Sequence, residues 1–229
     1  MILDLHVHSK YSFDSILTPQ KIIETAQARG LNGIGITDHN TIRGGIEAQK
    51  INRAPNLLII VGVEMSTEAG DLVGLFLKEE IRDHHSIRVA DEIHRQGGIV
   101  VLPHPYEGHR LNDELLKKVD LVEGFNARAS ERANKKAVEL AEKWNKPITA
   151  GSDAHFAAEI GLARTIVDGS DMDNIQSAIL NNKIMTTCIQ TRSYWPLLSQ
   201  IIKSIKMREY QKIPLHLAGF IKSRLVKGT

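Results

Sequence analysis

Short apolar runs rich in Val, Ile and Leu recur along the chain, and they alternate with longer segments in which apolar residues return every three or four positions. The short runs have the length and composition of β-strands. They are ILDLHV, GIGIT, LLIIVGVE, GDLVGLFL, GIVVLPH, LVEGFN, PITAGSD, TIVD and IMTTCI. Segments such as TPQKIIETAQARG and ERANKKAVELAEKWN lie between many of them and predict amphipathic helices. The pattern as a whole predicts a repeated β-α unit.

The apolar runs are nearly continuous, which is typical of strands that are covered on both faces. We therefore predict an α/β fold in which helices flank a mainly parallel sheet. The pattern alone permits both an open doubly wound sheet and a closed barrel. The glycines of GLNGIG lack the spacing of a dinucleotide-binding loop, so they give no evidence for a nucleotide cofactor.

The chain has 229 residues, of which 42% are hydrophobic, and this suits one globular domain with a short additional segment. Its net charge of +2 is unevenly distributed, because residues 192–229 contain eight Lys or Arg and one acidic residue. This segment carries +7 and the remainder −5. We predict a globular body over 1–191 and a basic amphipathic helical extension over 192–229.

The extension has two interpretations. Leu198, Ile201, Ile202 and Ile205 recur at helical spacing, which indicates a helix docked on the body. The alternative is that its basic residues attract nucleic acid or an anionic surface. These residues are Lys203, Lys206, Arg208, Lys212, Lys222, Arg224 and Lys227.

The single cysteine, Cys188, excludes an internal disulfide. The sequence also lacks a signal peptide and any apolar run of about 20 residues, the length that a transmembrane helix needs. We therefore expect a cytoplasmic protein without a transmembrane segment.

Polar side chains stand repeatedly where the predicted strands end. In parallel α/β folds the carboxyl ends of the strands meet at one edge of the sheet, and active sites assemble there. We therefore expect these residues to lie close together. They are His6, His8, Asp38, His39, Glu64, His104, Asn126, Asp153 and His155.

The spacing of His6 and His8 suits a shared metal ion. Side chains two positions apart on a strand share one face, so two imidazoles can lean toward one ion. Asp153 and His155 repeat this spacing. At Asp38 and His39, which are adjacent, we expect one metal ligand and one carboxylate that orients a ligand. Each motif alone is weak evidence, but their joint occurrence at successive strand ends favours a metal site.

The segments HVHSKYSFDS, GLNGIGITDHNT, VGVEMST, VLPHP and GSDAH resemble, in this order, the motifs of the PHP superfamily, the polymerase and histidinol phosphatase domain. The resemblance covers about residues 1–155 and is to the short stand-alone members, which are similar to metal-dependent phosphoesterases of nucleotides or small phosphates. It implies a distorted (βα)7 TIM-like barrel, here followed by the C-terminal helical tail. It also implies two or three divalent metal ions, Zn, Mn or Fe.

The resemblance implies nine metal ligands. It assigns His6, His8, Glu64 and Asp153 to one ion, Glu64, Asp71 and His104 to a second ion that Glu64 bridges, and Asp14, His39 and His155 to a third. Asp71 stands where relatives have His or Asp, and a carboxylate at this position favours manganese or iron over zinc.

The expected reaction is hydrolysis of a phosphate ester by a hydroxide that bridges metal ions. Four ligand carboxylates without metal would repel one another and raise some of their pKa values, whereas three divalent ions make the mouth of the site positive and attract an anion. We expect His104, Asp153 and His155 to be catalytic, and Arg43, Asn126 and Arg128 to bind substrate.

Several alternatives stay open at this point. The substrate is a nucleotide, an oligonucleotide or a small phosphorylated metabolite. A C–N hydrolase similar to the amidohydrolases also begins with two histidines in a βα barrel, but Glu64 and the adjacent Asp38 and His39 fit that class poorly. The remaining alternative is a metal-stabilised module without catalysis, although every ligand position is filled.

Overall fold

The structure is a computed structural model that describes residues 1–168, 175–181 and 184–227. Within these residues each of the apolar runs forms a strand. The strands are β1 (Ile2–Val7), β2 (Gly33–His39), β3 (Leu58–Thr67), β4 (Gly70–Leu75), β5 (Ile99–Leu102), β6 (Leu121–Asn126), β7 (Ile148–Gly151), β8 (Ala163–Val167) and β9 (Ile184–Cys188).

All of these strands belong to one sheet with the order β7-β6-β5-β4-β3-β2-β1-β8-β9. β1, β2 and β3 are parallel, as are β5, β6 and β7. The segment after β7 approaches the end of β1. Val7 bridges Ala154, and the His8 amide donates to the Ala154 carbonyl at 2.9 Å. The sheet is therefore a nearly closed barrel, as expected.

The barrel differs in detail from the seven-stranded form that the resemblance implies, because the described residues form nine strands. β4 is antiparallel to both β3 and β5, and β8 and β9 are also antiparallel to their neighbours. β4 begins only three residues after β3 ends, at Gly70 after Thr67. So short a connection reverses the chain as a hairpin, whereas a parallel neighbour needs a crossover of a dozen residues or more.

The helices follow the predicted amphipathic segments. They are α1 (Pro19–Ala28), α2 (Arg43–Ile51), α3 (Ser86–Arg95), α4 (Asp113–Lys118), α5 (Glu131–Trp144), α6 (Ile175–Asn181), α7 (Tyr194–Lys206) and α8 (Ile213–Lys227). Local chemistry sets their ends: the Thr18 hydroxyl accepts from the Lys21 amide at 3.2 Å at the start of α1, and Ser130 accepts from the Ala133 amide at 3.2 Å at the start of α5. Asn145 ends α5 in the left-handed conformation.

The apolar core ties together the strands whose ends carry the polar residues. One cluster of buried side chains joins β1, β3, β4, β5 and β6, with Leu3, Ile60, Leu75 and Ile99 among its largest members. A second cluster packs α3, α4 and α5 against the sheet. Close packing of this kind fixes the positions of the strand ends relative to one another.

The extension packs on the barrel, but through a different face from the expected one. Leu198 and Ile205 are 36% and 49% exposed, whereas Ser199 and Ser204 are 1% exposed. Trp195 stacks on Phe156 at 4.7 Å between ring centroids. Ser199 accepts from Arg128 of the barrel at 2.9 Å, whereas Ser204 Oγ lies 3.2 Å from His216 Nε2 of α8. Across the part of the chain that the structure describes, no helix has the length and apolar character to cross a membrane.

Candidate metal centre

The structure brings the nine expected ligand residues together at one end of the barrel. His6, His39, Glu64 and Asp71 lie on strands, and the others lie in the loops that follow β1, β5 and β7. Their ligand atoms form four overlapping sets, and within each set the atoms lie within 4.8 Å of one another. The sets are His8, Asp14, His39 and His155; His6, His8 and Glu64; His6, His104 and Asp153; and Glu64, Asp71 and His104.

Glu64 lies at the centre of this cluster and is 1% exposed. Its Oε1 is 2.9 Å from His104 Nε2, and its Oε2 is 3.1 Å from His39 Nδ1 and 3.3 Å from His8 Nε2. One carboxylate thus faces imidazoles that come from three different strand ends. This is the arrangement that the expected bridging role of Glu64 requires.

The Nε2 atoms of His6 and His8 face each other. The Nδ1 of His6 is 3.1 Å from Glu123 Oε1, so this nitrogen carries the proton and donates it to the carboxylate. The Nδ1 of His8 is 3.0 Å from Ser12 Oγ, whose own hydrogen is donated to Asp38. His8 Nε2 therefore carries a lone pair, and His6 Nε2 lies only 3.1 Å from it.

A second group repeats this pattern around Asp14. The Oδ2 of Asp14 lies 3.2 Å from His39 Nε2 and 3.1 Å from His155 Nε2. His155 Nδ1 donates to the Asp153 carbonyl at 2.8 Å, which orients the ring with its Nε2 toward Asp14. The other carboxylate oxygen of Asp14 is buried and has no hydrogen-bond partner among the described residues.

A buried carboxylate oxygen without a hydrogen-bond donor is costly unless a cation lies against it. Imidazole and carboxylate are the ligands of Zn, Mn and Fe in proteins. The donor set and its unpaired atoms therefore fit divalent metal ions. In this arrangement His8 belongs with the Asp14 group as well as with His6, so it is shared between positions that the sequence motifs assign to separate ions.

The charges of the cluster stabilise one another in the absence of metal. Burial would raise the pKa of Glu64, but His6 and His39 outweigh this effect and hold the pKa well below its usual range. The pKa values of Asp14 and Asp153 are lowered for similar reasons. Asp71 alone among the four carboxylates has a raised pKa, owing to burial and then to Glu64. Repulsion between carboxylates, which the sequence led us to expect, thus affects Asp71, whereas histidines dominate elsewhere.

The histidines divide into two kinds. Burial, together with His155 and His39, lowers the pKa of His8 to about 3, so its imidazole stays neutral as a metal ligand must. Burial opposes protonation of His104 as well, but Glu64 outweighs it and raises the pKa to about 9. A divalent ion would take the place of such protons next to Glu64.

Two of the ligand positions have strained backbones. His104 and Asp153 have φ angles of 27° and 52°, in a region that residues with a side chain rarely occupy. Each such residue costs on the order of 1–3 kcal/mol, and residues of this kind cluster at functional sites. The strain lies at the ends of β5 and β7, where it turns the two side chains toward the cluster.

Sequence reasoning missed Glu123, which supports the cluster from behind. Its Oε1 accepts from His6, and its Oε2 accepts from the His104 amide at 3.0 Å and from Asn126 Nδ2 at 2.9 Å. Gly151 makes room for it, since a Cβ at this position would lie 2.2 Å from Glu123 Oε1. A buried acid in the apolar strand LVEGFN was the available signal.

Asp38 plays the orienting part that the sequence suggested for one member of the adjacent pair. It accepts from the Ser9 amide at 2.6 Å and from Ser12 Oγ at 2.8 Å, and Ser12 in turn orients His8. His109, in the loop after β5, donates to the Asp71 carbonyl at 2.8 Å and lies 5.6 Å from the His104 ring.

The three expected substrate-binding residues have different surroundings. Arg128 does not fit this role, because its guanidinium is held by Glu159 at 2.6 Å and by Ser199 at 2.9 Å. The Asn126 amide group is also occupied, by Glu123 at 2.9 Å and Asp153 at 3.5 Å, so it orients these carboxylates. Arg43 is exposed and lies over the Tyr11 ring at 4.8 Å, which leaves it accessible to a ligand.

Comparisons with known proteins agree with the motifs. A family model described as PHP-associated matches residues 131–184. Two uncharacterized proteins of Methanocaldococcus jannaschii are each 38% identical to this chain. The first matches over 141 residues, which are 56% of this chain and 82% of the relative. The second matches over 175 residues, which are 71% of this chain and 69% of the relative. A 5'-3' exoribonuclease of Haemophilus influenzae is 29% identical over 122 residues, 46% of this chain and 43% of the relative.

The chain belongs to the PHP superfamily. Solved structures share the fold of this PHP protein at low sequence identity. A two-domain protein of Bacteroides vulgatus that contains a predicted PHP-like metal-dependent phosphoesterase has a TM-score of 0.70 and 18% identity, over 82% of this chain and 65% of that chain. Endonuclease Q, solved with a 27-mer duplex, has a TM-score of 0.58 and 18% identity, over 78% and 56%. An amidohydrolase of Chromobacterium violaceum has a TM-score of 0.60 and 17% identity, over 69% and 89%.

Proposed function

We propose that the protein is a metal-dependent hydrolase of phosphate esters. The observation that carries the proposal is the convergence of nine imidazole and carboxylate side chains in four overlapping sets around buried Glu64, with one carboxylate oxygen of Asp14 unpaired. A buried donor set of this kind suits divalent cations. The likeness to the amidohydrolase concerns the fold alone and brings no observation of this site that favours C–N hydrolysis.

In this proposal the nine cluster residues hold two or three ions of Zn, Mn or Fe. Bound ions of this type lower the pKa of water and neutralise charge on a phosphoryl group. The protein supplies their positions through Glu64 at the centre, Asp14 on one side, and Asp71 with His104 on the other. Glu123 and Asp38 fix the orientation of His6 and, through Ser12, of His8.

The substrate enters where the cluster is accessible. Asp153, His39 and His104 have side chains that are 15%, 13% and 12% exposed, whereas His6 and His8 are buried. We place the scissile phosphate at this opening. His104, Asp153 and His155 then form the catalytic side of the cluster, where Asp153 Oδ1 lies 3.2 Å from His8 Nε2 and 3.5 Å from His155 Nδ1 and can accept a proton from an attacking water.

The part of the substrate beyond the phosphate meets Arg43 and Tyr11. Both line a cavity of about 570 Å³ that also presents Lys50 and Lys78 together with Glu47, Glu79 and Glu80. The three carboxylates balance the three cationic side chains, so the Tyr11 ring is the feature that suits a ligand, by stacking on a base. On this ground we propose a nucleotide or an oligonucleotide end as the substrate. Exposed basic residues of the extension, such as Arg208 and Lys222, give longer nucleic acid a further contact surface.

The test is a substrate screen on protein that has been stripped of metal and reloaded separately with Mn²⁺, Zn²⁺ or Fe²⁺. The substrates are a phosphomonoester, a phosphodiester, a 5'-phosphorylated oligonucleotide and a cyclic amide. We expect phosphate-ester hydrolysis that disappears with chelator and returns with metal. Hydrolysis of the amide without phosphate release would support the C–N hydrolase instead, and absence of turnover with every metal would overturn the proposal in favour of a non-catalytic module.

A further inference from the structure

The last turn of α7 reaches the loop that follows β1. Lys206 Nζ donates to three backbone carbonyls of this loop: Lys10 at 2.9 Å, Ser12 at 2.7 Å and Ser15 at 2.6 Å. An ammonium group has three hydrogens to donate, so these three bonds use its full capacity. The three carbonyls converge on one point although they belong to residues spread over six positions of the chain.

These carbonyls depend on Lys206. Among the described residues, none of the three receives another hydrogen bond from the backbone or from a side chain. Converging carbonyl dipoles repel one another, and a single cation at their meeting point removes this repulsion. Lys206, which lies 191 to 196 positions further along the chain, therefore shares the support of this loop with Ser15 Oγ, which donates to the His8 and His155 carbonyls at 2.9 and 3.0 Å.

The same loop carries two groups of the metal centre. Asp14 lies between two of the gathered carbonyls in sequence, and its carboxylate faces His39 and His155 at 3.2 and 3.1 Å. Phe13 stacks on the His39 ring, with 4.4 Å between centroids and 2° between planes. Lys203, one turn before Lys206, places its ammonium 4.4 Å from the Phe13 ring centroid. The C-terminal half of α7 thus borders the Asp14 side of the cluster.

We propose that Lys206 is a positioning residue of the metal centre, because its ammonium gathers the Lys10–Ser15 loop and so holds Asp14 against His39 and His155. The inference rests on the proposed metal centre and adds a role for the extension, since α7 then completes one metal position. Loss of Lys206 affects that position selectively. The position formed by His6 and Glu64 is held by Glu123 and by β3, which Lys206 does not touch.

The experiment compares Co²⁺ binding to metal-free wild type, K206Q, K206R and K212Q, by titration with detection of the Co²⁺ absorption bands. K212Q is the matched control, because Lys212 is also an exposed basic residue of the extension but pairs with Glu209 at 2.8 Å. We expect K206Q to weaken the weakest Co²⁺ step by about 10-fold, as substitutions of supporting groups do, and to leave the tighter steps within about 2-fold. K206R should recover part of the loss, since a guanidinium also donates to carbonyls.

Thermal unfolding of the metal-free proteins accompanies the titration. Equal Co²⁺ affinities in K206Q and wild type would overturn the role of Lys206 and leave the metal centre intact. Uniform weakening of every step with a lowered melting temperature would also overturn it, because this pattern indicates general loosening of the barrel. Wild type that binds no Co²⁺ would overturn the metal centre and this inference together. If K206Q fails to fold, K206R is compared with wild type instead. A lower Co²⁺ affinity of K206R at the weakest step supports the role, and an unchanged affinity refutes it.

Discussion

His6 Nε2 and His8 Nε2 lie 3.1 Å apart, and each ring is held on its far side by a separate support, Glu123 for His6 and Ser12 with Asp38 for His8. Carboxylates raise the pKa of His6, whereas burial lowers the pKa of His8. In the proposed metal centre a divalent ion replaces the proton that His6 carries between the two nitrogens. It then gains two ligands whose rings are already oriented.

Metal should therefore stabilise the folded protein. At a free metal concentration of about 100 times the dissociation constant, one bound ion adds about 2.7 kcal/mol. For a chain of this length this corresponds to a rise in melting temperature of about 5–10 °C. Thermal unfolding with Mn²⁺ and with chelator measures the difference. The double variant H6Q/H8Q should lose most of it, whereas H94Q, on exposed His94 of α3, should retain it; an equal response in all three proteins would contradict the site.

Replacement of His39 tests the Asp14 side of the cluster. His39 contacts Asp14 and Glu64 at 3.2 and 3.1 Å, and it ends β2 without entering the apolar core. H39A should reduce phosphate-ester turnover by about 100-fold or more, because a metal ligand is removed, and it should also lower the free energy of unfolding of the metal-free protein, because Glu64 loses one of the charges that offset its burial. Steady-state kinetics and urea unfolding provide the two readings. Turnover near the wild-type rate would remove this metal position from the reaction.

Glu123 should tune metal affinity without being a ligand. E123Q keeps an oxygen that can accept from His6 but removes the negative charge behind the ring, so His6 becomes a weaker donor to metal. It also places an amide nitrogen where the His104 amide and Asn126 Nδ2 need an acceptor, so His104 is held less firmly. We expect a loss of metal affinity of about 10-fold to 100-fold. Competition with a chromophoric chelator measures it. The control is E131Q, because Glu131 lies on the exposed first turn of α5; a similar loss there would show that the effect is general electrostatics.

The basic extension should contribute to binding of nucleic acid through its exposed charges. Deletion of residues 196–229 is an unsuitable test, because it removes Ser199 and Lys206, which contact barrel loops. The double variant R208Q/K222Q keeps these contacts. If each charge meets one phosphate of a single strand, the slope of log K against log salt should decrease by about 1.4. Fluorescence anisotropy with a 5'-phosphorylated oligonucleotide at several salt concentrations tests this. An unchanged slope would show that Arg208 and Lys222 do not contact nucleic acid.

The extension also contains basic residues that this test leaves aside. The side chains of Arg224 and Lys227 lie outside the residues whose side chains the structure describes. Lys203 faces Phe13, and Lys212 pairs with Glu209, so both already have contacts within the protein. The charge of +7 that the sequence shows in this segment is therefore only partly available to a partner.

The residue pattern alone was enough to locate the strands and to recognise the ligand types. Each apolar run became a strand because burial of β-branched and aliphatic side chains is a local property that the pattern carries. His6, His8, Glu64 and Asp153 were recognisable for a related reason, since a polar side chain at the end of a buried strand is costly to bury unless it binds a partner or an ion. The repeated β-α pattern also predicted that these ends share one edge of the sheet.

The grouping and support of the ligands, by contrast, depend on contacts between distant parts of the chain. Glu123 comes from β6 to meet His6 on β1, and Lys206 reaches back across most of the chain to the Lys10–Ser15 loop. Arg128 is a further example, because its guanidinium donates to Glu159, whereas its position in the sequence suggested a substrate contact. These contacts form only when the barrel closes and α7 docks on it. A local sequence pattern encodes neither event, because both depend on residues that are far apart in the chain.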